Sequence, residues 1–253
     1  MGVAGGPRIP QSGMQLNLDA SNKKSNFGGG TTWYDISGNG RDFTWADEPT
    51  YNTRPVVGGY QQPDSIDSAK ATGPASNSFD ITTSSGVSFI FYCTNDSLTA
   101  KSAFKWYAGD GSGTDARGYF SHLTWNNARI YFDKITVTDG SLTNNGATVT
   151  SSGGGRVNTD PLNNVVNFFW VHAFTVSSDG ATMKIYRDGE ELASRTNAGS
   201  NPTLISTGAT IGGDDTYGSD WDAKMGAFLC YNRELSANEV KQITAALRGR
   251  DGA

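Results

Sequence analysis

The sequence predicts an all-β sandwich closed by one C-terminal helix, and three observations carry that reading. Residues 168–176 alternate Phe168, Trp170, His172, Phe174 and Val176 against the smaller Val171, Ala173 and Thr175, the pattern of a strand packed mainly on one side. Ser177-Ser178-Asp179-Gly180 and Asp188-Gly189 are tight-turn signals, the second that of a two-residue hairpin. Thr182–Arg187 and Glu191–Thr196 therefore follow as the next strands of a meander. Lys224–Tyr231 is apolar on both faces, so it belongs in the middle of the core.

The helix comes directly after that strand. Ser236-Ala237-Asn238-Glu239 is a capping box, in which the Ser236 hydroxyl accepts from the Glu239 amide while the Glu239 side chain reaches back. Leu235 and Val240 are spaced for a hydrophobic staple, and Val240, Ile243 and Leu247 form one apolar stripe. Arg248 suits the last turn and Gly249 the stop. Farther upstream, Val87–Cys93, Ala103–Tyr107, Tyr119–Trp125 and Ile130–Thr138 read as strands.

Length and composition agree. A chain of 253 residues can bury a full core, and strand signals recur without a linker, so residues 13–250 are expected to form one domain. The 32 glycines suit many short turns. Residues 1–12, rich in Gly and Pro, are expected to be a loose tail or an arm docked on a neighbouring subunit. A formal charge of −5, with no run of Lys and Arg, argues against nucleic acid as a partner. No apolar segment is long enough for membrane insertion, and Met1–Gln11 lacks the basic start and apolar stretch of a secretion signal, so folding in a cytoplasm is expected. Cys93 and Cys230 lie in apolar strands and read as buried thiols.

Several segments, taken in order, resemble one family. Trp170-Val171-His172-Ala173, Ile185-Tyr186-Arg187-Asp188-Gly189, Thr210-Ile211-Gly212-Gly213 and Gly226–Ser236 followed by Glu239-Val240 are similar to LamG-like, concanavalin A-like jelly-roll domains. Gly13–Asn22 and Thr32-Trp33-Tyr34-Asp35-Ile36-Ser37-Gly38-Asn39-Gly40 resemble the opening of the version found in tailed-phage structural proteins and bacterial surface proteins. The resemblance implies a jelly roll of two antiparallel sheets, with residues 58–164 matching only loosely.

Candidate chemistry is sparse. Polysaccharide hydrolases of this fold resemble one another in a Glu-x-Asp-x-Glu strand, whose carboxylates act as acid and nucleophile. Here Asp220-Trp221-Asp222 comes nearest, but the next position on that face is Lys224, and the adjacent pairs Glu190-Glu191 and Asp214-Asp215 would point to opposite sides of a strand. No catalytic residue is assigned, and His172 reads as a satisfied core histidine. Asp214, Asp215, Asp220 and Asp222 crowd one loop and could supply oxygen ligands to Ca²⁺, although no cofactor is required. For glycan binding the candidates are Tyr217 and Trp221 with Asp220, and then Trp106 and Trp125, whose alternating strands also suit a core position.

The expectation is thus a non-enzymatic phage virion protein. It would be a decoration or structural subunit of head or tail, assembled with other virion proteins as a homo-oligomer such as a trimer, with at most weak binding to host cell-surface glycans. The alternative is a carbohydrate-binding module or adhesin on a bacterial cell surface. A glycoside hydrolase is third.

Overall fold

The structure is a computed structural model and describes residues 7–26, 29–52, 56–57, 60–61, 65–67, 70–94, 101–107, 117–124, 130–136, 155–159, 168–204, 208–212 and 223–249. In chain order its strands are β1 (Met14–Asp19), β2 (Thr32–Trp33), β3 (Phe43–Trp45), β4 (Tyr51–Asn52), β5 (Val56–Val57), β6 (Tyr60–Gln61), β7 (Ser65–Asp67), β8 (Ala71–Ala75), β9 (Val87–Cys93), β10 (Lys101–Tyr107), β11 (Arg117–Thr124), β12 (Tyr131–Thr136), β13 (Gly155–Asn158), β14 (Trp170–Val176), β15 (Met183–Arg187), β16 (Glu190–Arg195), β17 (Gly208–Ile211) and β18 (Lys224–Tyr231). The helix α1 (Ala237–Arg248) follows. One sheet runs β16-β15-β14-β9-β18-β7-β4 with β1 also paired to β18, and the other runs β13-β12-β11-β10-β17-β8-β3-β2. All of these pairings are antiparallel. This is the two-sheet jelly-roll sandwich that the sequence predicts.

Two cores explain why β9 and β18 are apolar on both faces. Between the sheets, Phe89, Phe91, Phe104, Phe132, Phe174 and Phe228 interlock, with Phe91 and Phe228 centroids 4.4 Å apart. On the outer face of the first sheet, Ile90, Tyr92, Val171, Ala173, Leu229 and Tyr231 lie under Val240, Ile243 and Leu247 of α1. Each of those three helix side chains contributes roughly 2 kcal/mol by burial, more than the intrinsic preference of so short a helix supplies. The capping box is formed in both directions: the Glu239 amide donates to Ser236 Oγ at 3.3 Å and the Ser236 amide to Glu239 Oε2 at 2.9 Å. Gly249 ends the helix while staying right-handed, with φ −61°, so the stop does not use the left-handed freedom that glycine offers. Cys93 faces Met225 and Cys230 faces Phe89 across the β9–β18 ladder. The two buried thiols are therefore roughly 13 Å apart along the strands, beyond disulfide reach.

β1 would be an exposed edge, but side chains cover it. The Asp35 carboxylate accepts from the amides of Asn17 (3.0 Å), Ser37 (2.9 Å) and Arg41 (3.0 Å) and from Ser37 Oγ (2.8 Å). The Arg41 guanidinium donates to the Gln15 carbonyl at 2.8 Å, and the Asn39 side-chain Nδ2 to the same oxygen at 3.2 Å. Gln15 sits where the β1 register shifts, and the Ile36 amide donates to the Asn17 carbonyl at 3.0 Å. These bonds replace a strand partner. Residues 8–12 are also tied to the chain's own body: Tyr231 Oη donates to the Pro10 carbonyl (3.0 Å), Arg233 Nε to that of Ser12 (2.7 Å), and Gln242 Nε2 to that of Arg8.

One end of the sandwich is locked by buried polar groups. Lys134 Nζ donates to the carbonyls of Gly180 (2.5 Å) and Gly199 (2.7 Å), and burial lowers its pKa to about 8. Asn201 Nδ2 lies within bonding distance of the carbonyls of Ser85, Ser177 and Ser178 (2.9, 3.0 and 3.1 Å), while its oxygen accepts from Tyr119. Gly180, at φ +75°, has to be glycine, because a Cβ there would stand 2.6 Å from the Asn201 amide nitrogen.

Candidate functional site

Of the residues expected to bind glycan, the structure moves Trp106 into the core. Its side chain has no solvent exposure, and its ring lies 4.3 Å from Phe79 and 4.9 Å from Phe89. The alternation of β10 points it at the opposing sheet, so it cannot meet a sugar at the surface. Trp125, Tyr217, Asp220 and Trp221, together with the calcium candidates Asp214, Asp215 and Asp222, lie outside the described residues. Among carboxylates that are described, Glu190 pairs with Lys241 (3.0 Å) and Glu191 with Lys184 (3.1 Å), so the adjacent acids serve two separate ion pairs.

His172 is in the core, as the alternation of β14 requires, but it is not satisfied: among the described residues neither ring nitrogen has a hydrogen-bond partner. Burial, then the nearby guanidiniums of Arg187 and Arg248, push its pKa down to about 3. It stays neutral and encased at ordinary pH.

The surface that sequence reasoning missed stands at the start of β14, opposite the locked end. Phe174 and Val176 face inward between the sheets, but Phe168 is 44% exposed and Trp170 only half-buried. The two rings lie 4.7 Å apart. The Arg187 guanidinium stacks 4.4 Å over Trp170, and that of Arg248 lies 5.1 Å from Phe168. Arg248 is anchored by Asp188 Oδ2 at 2.5 Å, and Asp188 Oδ1 accepts from the Val171 amide at 3.0 Å. The Asp188-Gly189 hairpin, with φ of 49° and 85°, delivers that carboxylate. The result is a fixed aromatic face rimmed by guanidinium and carboxylate groups. Such a surface can hold the C–H face of a sugar while planar polar groups meet its hydroxyls. The signal available in sequence was Phe168-Phe169-Trp170 ahead of a strand, with Arg187 opposite in the hairpin.

The sequence running from β7 into α1 decides the family. The laminin G 3 model, described as the concanavalin A-like lectin/glucanases superfamily, matches residues 67–241. The chain belongs to that superfamily. The same sandwich occurs in the botulinum neurotoxin serotype D binding domain (TM-score 0.64, 16% identity, covering 93% of this chain and 51% of that one). It occurs also in the binding domain of botulinum neurotoxin DC in complex with SialylT (TM-score 0.61, 13% identity, 94% and 52%). A third is the binding domain of Paraclostridial mosquitocidal protein 1 (TM-score 0.58, 11% identity, 92% and 52%). This chain thus spans about half the length of those structures, and at such identities the likeness is one of fold. No curated protein matches it in sequence.

Proposed function

We propose that this member of the lectin/glucanase superfamily is a non-catalytic recognition module that holds a glycan against the Phe168 ring. The observation that carries the reading is the exposed Phe168 beside the Arg187-stacked Trp170, on a rim where the described carboxylates are engaged in ion pairs rather than poised for acid–base work. β18, into which residues 213–222 lead, begins at this same end, since Met225 and Trp170 both face Cys93. Tyr217, Trp221 and Asp220 are therefore candidates for the same glycan, and the aspartates around them for Ca²⁺. The neurotoxin binding domains that share the fold, one solved with SialylT, lend support.

In its finer form the reading places the module on a tailed-phage particle, as a homo-oligomer among other virion proteins. That form rests on the likeness of residues 13–22 and 32–40 to phage structural proteins. A glycan array run with and without EDTA tests the module and the ion together. Capture by the wild-type chain, lost in Phe168→Ala, is expected, and polysaccharide cleavage would contradict the non-catalytic reading. Gel filtration and mass spectrometry of purified particles test the virion setting: a trimer found in particles agrees with it, and a monomer absent from them does not.

A further inference from the structure

A second concave site lies on the other side of α1. Ala246 and Arg248 are two residues apart, so they project about 200° from one another around the helix. Arg248 borders the aromatic rim, whereas Ala246 borders a groove of about 380 Å³ between the helix, β1 and residues 7–11. That volume falls in the range of pockets that take small molecules.

Three walls of the groove are fixed independently. The floor is β1, which is paired to β18 and presents Asn17 and Asp19. One side is Ile36, held by the hydrogen bond that its backbone N–H donates to the Asn17 carbonyl and by the Asp35 network beside it. The other is Arg8 and Ile9, tied down through Gln242 and Tyr231. A site whose walls are already positioned loses little ordering entropy when it is filled.

The lining selects the ligand. Arg8 and Asp19 put opposite charges on one small groove, so what a ligand of either net sign gains from one group is offset by repulsion from the other. Neutral hydroxyl groups suit both, and the Asn22 amide adds a further polar group. Asp19 is 3% exposed and accepts from the Ser21 amide at 3.0 Å, which sets the orientation of its carboxylate. The side chain of Asn17 makes no hydrogen bond with the described residues, and its oxygen is buried without a donor. Turning that amide toward the groove breaks no existing bond and pairs an oxygen that is otherwise unsatisfied. Ile9 and Ile36 supply apolar walls for ring C–H groups. The geometry points to a second binding site here, for a neutral hydroxylated ring of hexose size, on a face distinct from the Phe168 rim and independent of whether that rim binds glycan.

The test is ligand-observed NMR and calorimetry on the full chain, with a panel of free neutral hexoses and of oligosaccharides ending in them. Saturation transfer to at least one ring is expected; transfer from the free sugar marks a free-sugar site, and transfer from the oligosaccharide end alone marks a chain-end site, both within the proposal. Ala246→Trp fills the groove from the helix side and should weaken binding at least tenfold with an unchanged melting curve. Asn17→Ala keeps both backbone bonds of β1 and should weaken it about fivefold, which preserves the test if the tryptophan variant folds poorly. Phe168→Ala should leave this binding intact while abolishing capture at the other rim, so the two readings fail separately. No transfer from any member of the panel, or equal affinity in wild type, Ala246→Trp and Asn17→Ala, would overturn the site.

Discussion

Replacing Asp35 by alanine should destabilise the fold substantially, although Asp35 is a polar residue outside the hydrophobic core. The carboxylate accepts four hydrogen bonds, from the amides of Asn17, Ser37 and Arg41 and from Ser37 Oγ. The Asn17 amide sits part-buried on the edge of a sheet, and leaving such a donor without a partner costs about 1–3 kcal/mol. The three remaining bonds lie partly in solvent, so each adds only about 0.5 kcal/mol. The sum is roughly 3 kcal/mol, which lowers the melting temperature of a domain this size by roughly 6–12 °C. Asp35→Asn keeps one acceptor oxygen and should lose about half as much. Urea titration gives the free energy, and hydrogen exchange at Asn17 and Ile36 localises it, because both amides should lose protection first. An Asp35→Ala chain within about 0.5 kcal/mol of wild type, with those amides still protected, would refute the reasoning that side chains act as the missing partner of β1.

Four further outcomes are expected. Ser236→Ala should cost about 1 kcal/mol by equilibrium unfolding. Glu239, held down to a pKa of about 2 first by Arg233 and then by Ser236, contributes stability that is complete above pH 4.5 and is lost as pH falls toward 2; Glu239→Gln should flatten that acid limb in a pH series of urea midpoints. Lys134 titrates lower in the folded chain, near 8, than the unfolded value of 10.5, so its contribution makes stability rise from about pH 8 to 10.5. Lys134→Met should lack that rise and lose about 2 kcal/mol at neutral pH, because two buried carbonyls lose their donor, as thermal melts across the pH range would show. Trp106→Ala should cost about 3–5 kcal/mol by the same unfolding assay while glycan capture by the folded fraction is unchanged.

Local patterns made much of the fold legible. The capping box, the Asp188-Gly189 hairpin and the two-sided apolarity of β18 are each written within a dozen residues, and the structure realises all three. Parity along β10 already favoured a core position for Trp106, but parity gives only the face, and burial depends on how far the opposing sheet extends. The same limit hid Phe168: it shares the alternation of Phe174, yet it lies ahead of the first paired residue of β14, where the other sheet no longer covers it. The segment around Asp35 was visible as a motif, but its work is done on a backbone 18 residues away. The groove was illegible for a similar reason, since Arg8, Asn17, Ile36 and Ala246 meet only after β1, α1 and the leading residues have docked.

The most direct measurement of the central claim is a calorimetric titration of the strongest array ligand into wild-type and Phe168→Ala chains of equal melting temperature. A glycan held on this rim predicts at least a tenfold loss of affinity in the variant, with no released reducing ends in either sample. Equal affinity in the two chains, or cleavage of the ligand, would contradict it.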